Sequence, residues 1–362
     1  MRILFVIGPL KKGGAERVVC NLSNELIKEN DVFIATTVTP ESDYYLNEKI
    51  IIKCLDDEKT SNKNFIIRNY LRAKRLKEVI KNNKIDIAIS FLPEPSYRLM
   101  MVKNKKLKTI ISDRNDPNIE YNSLFQKIIT KLLYKKSNGF VFQTEDAKKW
   151  FSDKIQERSV VIPNPINKDF ICKPYSGQRE NVIVTVGRLT EQKNHKLLID
   201  AFINIHKKYK DYKLYIYGEG SLRDELSEII KSNMLEDSIK LMGNVDNVKE
   251  SIYKSKMFVL TSDYEGMPNA LMEAMALGIP CISTRCPIGG PEFLINNGEN
   301  GLLIGVGNSE ELQGAILKLI EKKDLSEKIG KNANRICDIL NPTIINNRWK
   351  EYIYSFINKD GR

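Results

Sequence analysis

Histidine is scarce: the 362 residues hold only His195 and His206, and the first half has none. That leaves no histidine-rich metal site and argues against a Ser-His-Asp hydrolase. The six cysteines (Cys20, Cys54, Cys172, Cys281, Cys286 and Cys337) form no C-x-x-C pair, and no histidine stands near Cys281 and Cys286 to complete a zinc site. Thiols without a pattern fit a reducing, cytoplasmic compartment. Long apolar runs are missing too, none approaching the roughly 20 residues of a transmembrane helix. The opening MRILFVIGPL has the look of a signal-peptide core, but Lys11, Lys12 and an amphipathic helix follow at once, without a small-residue cleavage site. It reads as a buried first strand.

What is present is a globular chain long enough for two domains, with 42% hydrophobic residues spread throughout. The net charge of +11 is uneven: residues 1–172 carry 31 basic against 21 acidic groups, and the remainder 26 against 25. The first half therefore expects an anionic partner, whether nucleic acid, a membrane surface or an acidic substrate.

Both halves alternate strand and helix patterns. RILFVIG, DVFIATTV, IDIAISFL, LKTIIS and GFVFQT are strands in the first, with helices at residues 15–28, 68–82 and 123–136 between them. NVIVTVGR, KLYIYG, IKLMG, MFVLTS and IPCIST are strands in the second, with helices at 196–208, 221–232, 248–254 and 269–277. Such alternation implies α/β architecture, two doubly wound, Rossmann-like parallel sheets. Residues 162–179, rich in proline and without periodicity, form the expected linker. Two domains then face each other across a cleft, where ligands should sit at the carboxyl ends of the strands.

The densest chemistry lies in TSDYEGMPNALMEAMALGIP, residues 261–280. A buried strand breaks at Gly266 and Pro268, and a helix runs from Asn269 until Gly278 and Pro280 stop it. This order exposes the helix-start region of Met267, Pro268, Asn269, Ala270 and Leu271 as an anion site at a positive helix end. Glu265 precedes that site and Glu273 stands about one turn into the helix. Two carboxylates there repel a phosphate but accept hydrogen bonds from hydroxyls on either side of one, as the hexose and ribose of a nucleotide sugar offer. Other elements point the same way. Gly13 and Gly14 follow the first strand and open a helix, permitting close backbone approach. Arg188 closes a strand, and Lys193 comes just before the helix cap Asn194; these two cations suit a diphosphate. Gly218-Glu219-Gly220 reads as a tight turn, not a complete G-x-G-x-x-G. Gly243-Asn244-Val245 follows a strand where backbone groups can meet a flat base.

The segments GGAERVV (13–19), IPNPI (162–166), VGRLTEQKNHKLLIDAF (186–202), YGEGSLRDEL (217–226) and EGMPNALMEAMALGIPCI (265–282) together resemble the retaining GT-B glycosyltransferases of family 4, which include bacterial enzymes of lipopolysaccharide, capsule and teichoic acid synthesis. The resemblance covers nearly the whole chain. It implies a hexosyltransferase that moves a hexose or N-acetylhexosamine from a nucleotide sugar, UDP-linked by the weak likeness of CPIGGPEFL (286–294) to an element of UDP-sugar transferases. Under it Glu265 contacts the donor hexose, Glu273 the ribose hydroxyls, and Arg188 and Lys193 the diphosphate. Gly14 brings the first domain to the same phosphates, and residues 267–271 supply amides. The family needs no metal, because cations and helix ends offset the charge on the leaving nucleotide; no D-x-D motif occurs in the chain. Front-face attack is implied, with the departing phosphate taking the acceptor proton and Glu265 positioning rather than attacking. The GT-B pattern also implies domains of residues 1–172 and 173–344, with a last helix within 345–362 returning to the first.

One departure concerns the acceptor side. Many relatives carry a histidine after the fourth or fifth strand of the first domain, where this chain reads ISDRNDPN (111–118). Asp113, Arg114 and Asn115, with Glu16, are the candidates in its place. The cationic amphipathic stretches 68–84 and 124–136 suggest docking on an anionic inner-membrane surface, beside a saccharide or lipid-linked saccharide acceptor. Such stretches also pack their apolar stripe into their own domain and expose their lysines. Two other readings stay open. A UDP-N-acetylglucosamine 2-epimerase would share the cleft. A basic nucleic-acid-binding protein is suggested only by charge, with no RNA-recognition signature or zinc pattern behind it.

Overall fold

The β-branched runs become strands because helices bury them on both faces, as a parallel sheet requires. The computed structural model describes residues 1–11, 13–37, 41–57, 60 and 62–357, and divides into two units, Met1–Asn164 with the segment from Thr343, and Pro165–Pro342.

The first unit holds β1 (Arg2–Val6), β2 (Asp31–Thr36), β3 (Ile51–Cys54), β4 (Ile87–Phe91), β5 (Lys108–Ser112), β6 (Gly139–Phe142) and β7 (Ser159–Val161), in the order β3-β2-β1-β4-β5-β6-β7. Every pairing is parallel, with Leu4 facing Phe33 on one side and Ala88 on the other. The helix Gly14–Leu26 buries Val18, Val19, Leu22 and Leu26 on one stripe. The last helix, Pro342–Tyr354, packs on this unit: Trp349 stacks on Phe91 at 5.8 Å, and the Tyr352 hydroxyl donates to the Arg158 carbonyl at 2.6 Å.

The second unit holds β8 (Glu180–Val186), β9 (Lys213–Tyr217), β10 (Ile239–Gly243), β11 (Ser255–Leu260), β12 (Cys281–Thr284) and β13 (Leu302–Ile304), in the order β10-β9-β8-β11-β12-β13. Its core gathers Ile183, Leu198, Phe202, Leu214, Ile216 and Val259 between sheet and helices. In each sheet the strand order reverses beside the first strand, between β1 and β4 and between β8 and β11. Ligands of doubly wound sheets bind at such switch points, beyond the carboxyl ends of the strands.

Three strands were not expected from the sequence. β3, β7 and β13 are sheet-edge strands of four, three and three residues, too short for their apolar runs to show a strand's period. The helix Pro93–Val102 was hidden by its two prolines, one of which sits at the helix start, where its missing N–H costs nothing. The unit boundary falls at Asn164 rather than the expected 172. Ile166 donates its amide to Leu340 at 3.0 Å and Phe170 is buried, so this stretch packs with the second unit. The second crossing lies after Pro342, against an expected 344.

Candidate active site

At the switch point of the second sheet, two loops are stitched together. The first follows β8 and contains Arg188 and Lys193; the second follows β11 and contains Glu265. The Asp263 amide donates to the Gln192 carbonyl at 2.9 Å, Gln192 Nε2 donates to the Tyr264 carbonyl at 2.9 Å, and Asn194 Nδ2 donates to Asp263 Oδ1 at 2.9 Å. The Thr261 hydroxyl donates to the Lys193 carbonyl at 3.0 Å. These bonds bring Lys193 Nζ onto Glu265 Oε1, the same oxygen to which the Ser262 hydroxyl donates at 2.7 Å. The side chains of the ion pair are only 15% and 9% exposed, so the charges meet where water screens them weakly. Gly187 leaves room for the Lys193 stem, since a Cβ there would stand 3.3 Å from its Cδ and Cε.

Arg188 is exposed, and its guanidinium has no hydrogen bond or ion pair among the described residues. Its carbonyl instead lies 3.2 Å from Nε2 of buried His195, whose pKa burial pushes down to about 4. The ring is thus neutral at ordinary pH and serves packing rather than proton transfer.

Beyond Glu265 the helix Asn269–Ala276 opens at Pro268 with no side-chain cap. Pro268 has no N–H of its own, so it fixes the entry to the helix rather than donating to a ligand. The helix ends as the sequence indicates: Gly278, at φ +66, donates to Met275 and Ile279 donates to Ala274, a Schellman closure. Glu273 is half-buried on this helix. A third loop braces Glu265 from the other side. Its amide donates to the Pro287 carbonyl at 2.9 Å, and the Ile288 amide returns to the Glu265 carbonyl at 3.3 Å. Asn244 and Val245 lie in the loop after β10, with Asn244 exposed. Gly218, expected in a tight turn, instead forms an isolated bridge with Gly243, at φ +137 and against the Gly187 carbonyl; a Cβ would lie 2.0 Å from that oxygen.

In the first unit, Gly14 begins the helix after β1, and the Tyr44 hydroxyl grips Gly13 by donating to its carbonyl and accepting from its amide, both at 2.9 Å. Glu16 folds back over this helix start. Burial lifts its pKa, and a hydrogen bond from its own amide opposes the lift. Asp113 and Arg114 are core residues here. Asp113 accepts from the Tyr121 hydroxyl at 2.6 Å and from the Arg114 amide at 2.9 Å, and burial raises its pKa to about 6. The Arg114 guanidinium lies over Phe91 at 4.8 Å and donates to Asn164 Oδ1 at 2.9 Å, with its pKa pushed down to about 9 by burial. Asn115 alone of the three is exposed, and its Nδ2 donates to Glu120 Oε1. Among the described residues no group of three or more His, Cys, Asp or Glu side chains is placed to hold a metal ion.

Comparison with known proteins decides the family. Residues 169–336 match the family profile of Glycosyl transferases group 1, and residues 12–170 match that of Glycosyltransferase Family 4. Over 342 residues, 89% of this chain and 91% of the relative, the sequence is 30% identical to the N-acetylgalactosamine-N,N'-diacetylbacillosaminyl-diphospho-undecaprenol 4-alpha-N-acetylgalactosaminyltransferase of Campylobacter jejuni. This chain belongs to the glycosyltransferases. The transferase is also 28% identical, over 98% of both chains, to the Campylobacter jejuni GalNAc-alpha-(1->4)-GalNAc-alpha-(1->3)-diNAcBac-PP-undecaprenol alpha-1,4-N-acetyl-D-galactosaminyltransferase. Its fold is GT-B. The Anabaena protein HepE, solved in complex with UDP, superposes with a TM-score of 0.81 at 17% identity, covering 98% of this chain and 100% of that one.

Within the glycosyltransferase, Lys193 and Glu265 are brought into direct contact, as residues 72 positions apart. Sequence reasoning missed Ser262, Gln192, Asp263 and the Pro287–Ile288 loop. Ser262 and Asp263 lie inside the segment already singled out and were legible as polar residues at a strand end. Nothing local marks Pro287 as a partner of Glu265.

Proposed function

We propose that this glycosyltransferase is a retaining enzyme that moves a hexose or N-acetylhexosamine from a UDP-sugar to a saccharide on a lipid-linked acceptor of surface-polysaccharide synthesis. The observation that carries the reading is the Lys193–Glu265–Ser262 cluster beside an uncapped helix start at the second sheet's switch point. Arg188, exposed and unpaired, and Lys193 take the diphosphate together with the amides of Asn269, Ala270 and Leu271; a dianion there competes with Glu265 for the Lys193 ammonium. Glu265, relieved of that partner, accepts from the hexose hydroxyls while Ser262 keeps it oriented. Glu273 accepts from the ribose, and Asn244 and Val245 border the base. Met267 borders the phosphates; Gly14, at the helix start after β1, is the proposed phosphate contact of the first unit. The bond from the anomeric carbon to the phosphate oxygen breaks, the acceptor oxygen bonds to the same face, and its proton passes to the departing phosphate. Cations and amides carry the negative charge that develops, so the reaction runs without a metal. Support for UDP comes from HepE, solved with UDP, and for a lipid-linked acceptor from the undecaprenol-linked substrates named for the two Campylobacter relatives.

On the acceptor side, Asn115 and Glu16 are the proposed contacts, and Asp113 and Arg114 support them from the core. The enzyme docks from the cytoplasm on the anionic inner face of the membrane, and nucleic acid is not a partner. The helices Phe65–Asn82 and Leu124–Tyr134 support this docking, because they leave Phe65, Ile66, Tyr70, Leu124, Phe125 and Leu132 exposed among lysines. Among the described residues no helix is long and apolar enough to cross a membrane.

The test is a panel of UDP- and GDP-sugars screened by thermal shift, followed by transfer to extracted lipid-linked oligosaccharide and NMR of the new anomeric centre. Glu265→Ala and Lys193→Ala should lose turnover far more than donor affinity. Wild-type turnover in either variant, or an inverted product, overturns the mechanism. Sedimentation with vesicles showing no preference for anionic lipid overturns the docking.

A further inference from the structure

At the other edge of the second sheet, where the strands begin, lies a cavity of about 630 Å³. Arg179 precedes β8, Lys256 is the second residue of β11, and Pro280 precedes β12, so the cavity sits at the amino ends of three parallel strands. Arg188 and Glu265 follow the carboxyl ends of two of these strands. β8 alone separates the edges by ~20 Å, six rises of about 3.3 Å along its seven residues. The cavity is therefore distinct from the candidate active site.

Its chemistry is cationic. Positions 323, 326, 327, 330 and 331 of the helix Lys323–Ala333 form one helical face along the wall. Four cations, Arg179, Lys256, Lys323 and Lys331, line it against one carboxylate, Glu327. Glu327 stands 3.8 Å from Lys323, beyond hydrogen-bond distance. Lys256 is half-buried, and neither it nor Lys331 has an ion pair or hydrogen bond among the described residues. Both ammonium groups therefore remain open to an anion, Lys256 with its stem packed against the wall. Arg179 is fixed in place by donating to the carbonyls of Tyr253 and Ser255, each at 3.1 Å, and of Gly278 at 2.8 Å.

The cavity also has an uncharged wall. Tyr175 lies 5.9 Å from the Arg179 guanidinium and edge-on to Tyr253 at 5.5 Å, beside Pro174 and Pro280. The floor forms where Gly330 meets Gly278, so closely that a Cβ on Gly330 would lie 2.5 Å from the Gly278 carbonyl oxygen. A volume of this size admits a small organic molecule. Three lysines, two of them without an ion pair, together with a tyrosine and prolines call for a phosphate joined to an organic body.

We propose that this cavity is a second binding site, for a phosphorylated small metabolite, held at its phosphate by Lys256, Lys323 and Lys331 and at its organic part by Tyr175. Gly278 closes the helix Asn269–Ala276, so the occupant bears on the far end of the helix whose start faces the candidate active site.

The test is calorimetric titration of the full chain, at constant ionic strength, with glucose 6-phosphate, glucose and inorganic phosphate. Glucose 6-phosphate should bind saturably and more tightly than either of the others. Lys256→Ala and Lys331→Glu should each weaken it at least tenfold, while Lys193→Ala and Arg188→Ala leave it within twofold. Because Lys331 is exposed, its variant reads the site without disturbing the core. No transfer reaction is needed, so the result is independent of the donor and acceptor assignments. Three outcomes overturn the proposal: no saturation by ~10 mM, far weaker than ordinary metabolite affinities; equal affinity for inorganic phosphate; or loss of binding in Lys193→Ala with retention in Lys256→Ala and Lys331→Glu.

Discussion

Replacing Gly290 by alanine should damage catalysis without touching any charged group. A Cβ at this position would stand 1.8 Å from the Gly266 carbonyl oxygen, whereas real Cβ contacts do not fall below 3.0 Å, so one backbone must retreat by at least 1.2 Å. The obstacle is backbone, with no flexible side-chain end to swing aside. Retreat is resisted by the two hydrogen bonds between Glu265 and the Pro287–Ile288 loop, which tie the loops together one residue from Gly266. Overpacking of this kind costs ~1–3 kcal/mol in stability. A displacement of about 1 Å at a positioning group costs on the order of 100-fold in rate. Gly290→Ala should therefore lower kcat by roughly that factor while the Lys193 and Arg188 side chains remain present. Steady-state transfer kinetics and thermal unfolding of the purified variant provide the assay. Wild-type kcat with an unchanged midpoint would refute the argument that the 287–290 loop holds Glu265 in place.

Gly314, on the exposed face of the helix Ser309–Glu321, has nothing within 4 Å of a built Cβ, so Gly314→Ala should stabilise the chain by about 1 kcal/mol through helix propensity, measured by urea unfolding. Two buried groups give opposite pH trends. His195, held down to about 4, contributes stability that is present above its unfolded pKa near 6.5 and is lost as pH falls towards 4. Asp113, raised to about 6, is most favourable below about 3.8, and its contribution is lost as pH rises through 6. Each effect is about 3 kcal/mol in full, so His195→Gln and Asp113→Asn should flatten the urea midpoint in opposite directions between pH 4 and 6.5. Unfolding curves with unchanged pH dependence would count against both burial assignments.

Much of the site was legible because its chemistry is local. The strand-loop-helix of residues 261–280 announces itself through the apolar run to Ser262, the break at Gly266 and Pro268, and the stop at Gly278; each is a near-neighbour effect that backbone sterics and periodicity settle. Arg188 and Lys193 were legible because a cation just after a buried strand has few structural uses. Asp113 and Arg114 show the limit. Polar residues after β5 read as surface candidates, yet Tyr121, Phe91 and Asn164 enclose them, and those partners lie 8, 23 and 50 positions away. No local pattern encodes that enclosure.

By itself, the sequence determined two parallel-sheet domains and the strand-loop-helix breaks within them, because alternation, glycine breaks and charge type act over a few residues. Tertiary structure alone decided that Lys193 neutralises Glu265, that the Pro287 loop braces it, and that four cations from three parts of the chain line one cavity at the sheet's opposite edge. Those pairings depend on strand order and on which loops the sheet brings side by side, and sequence separation carries no information about either.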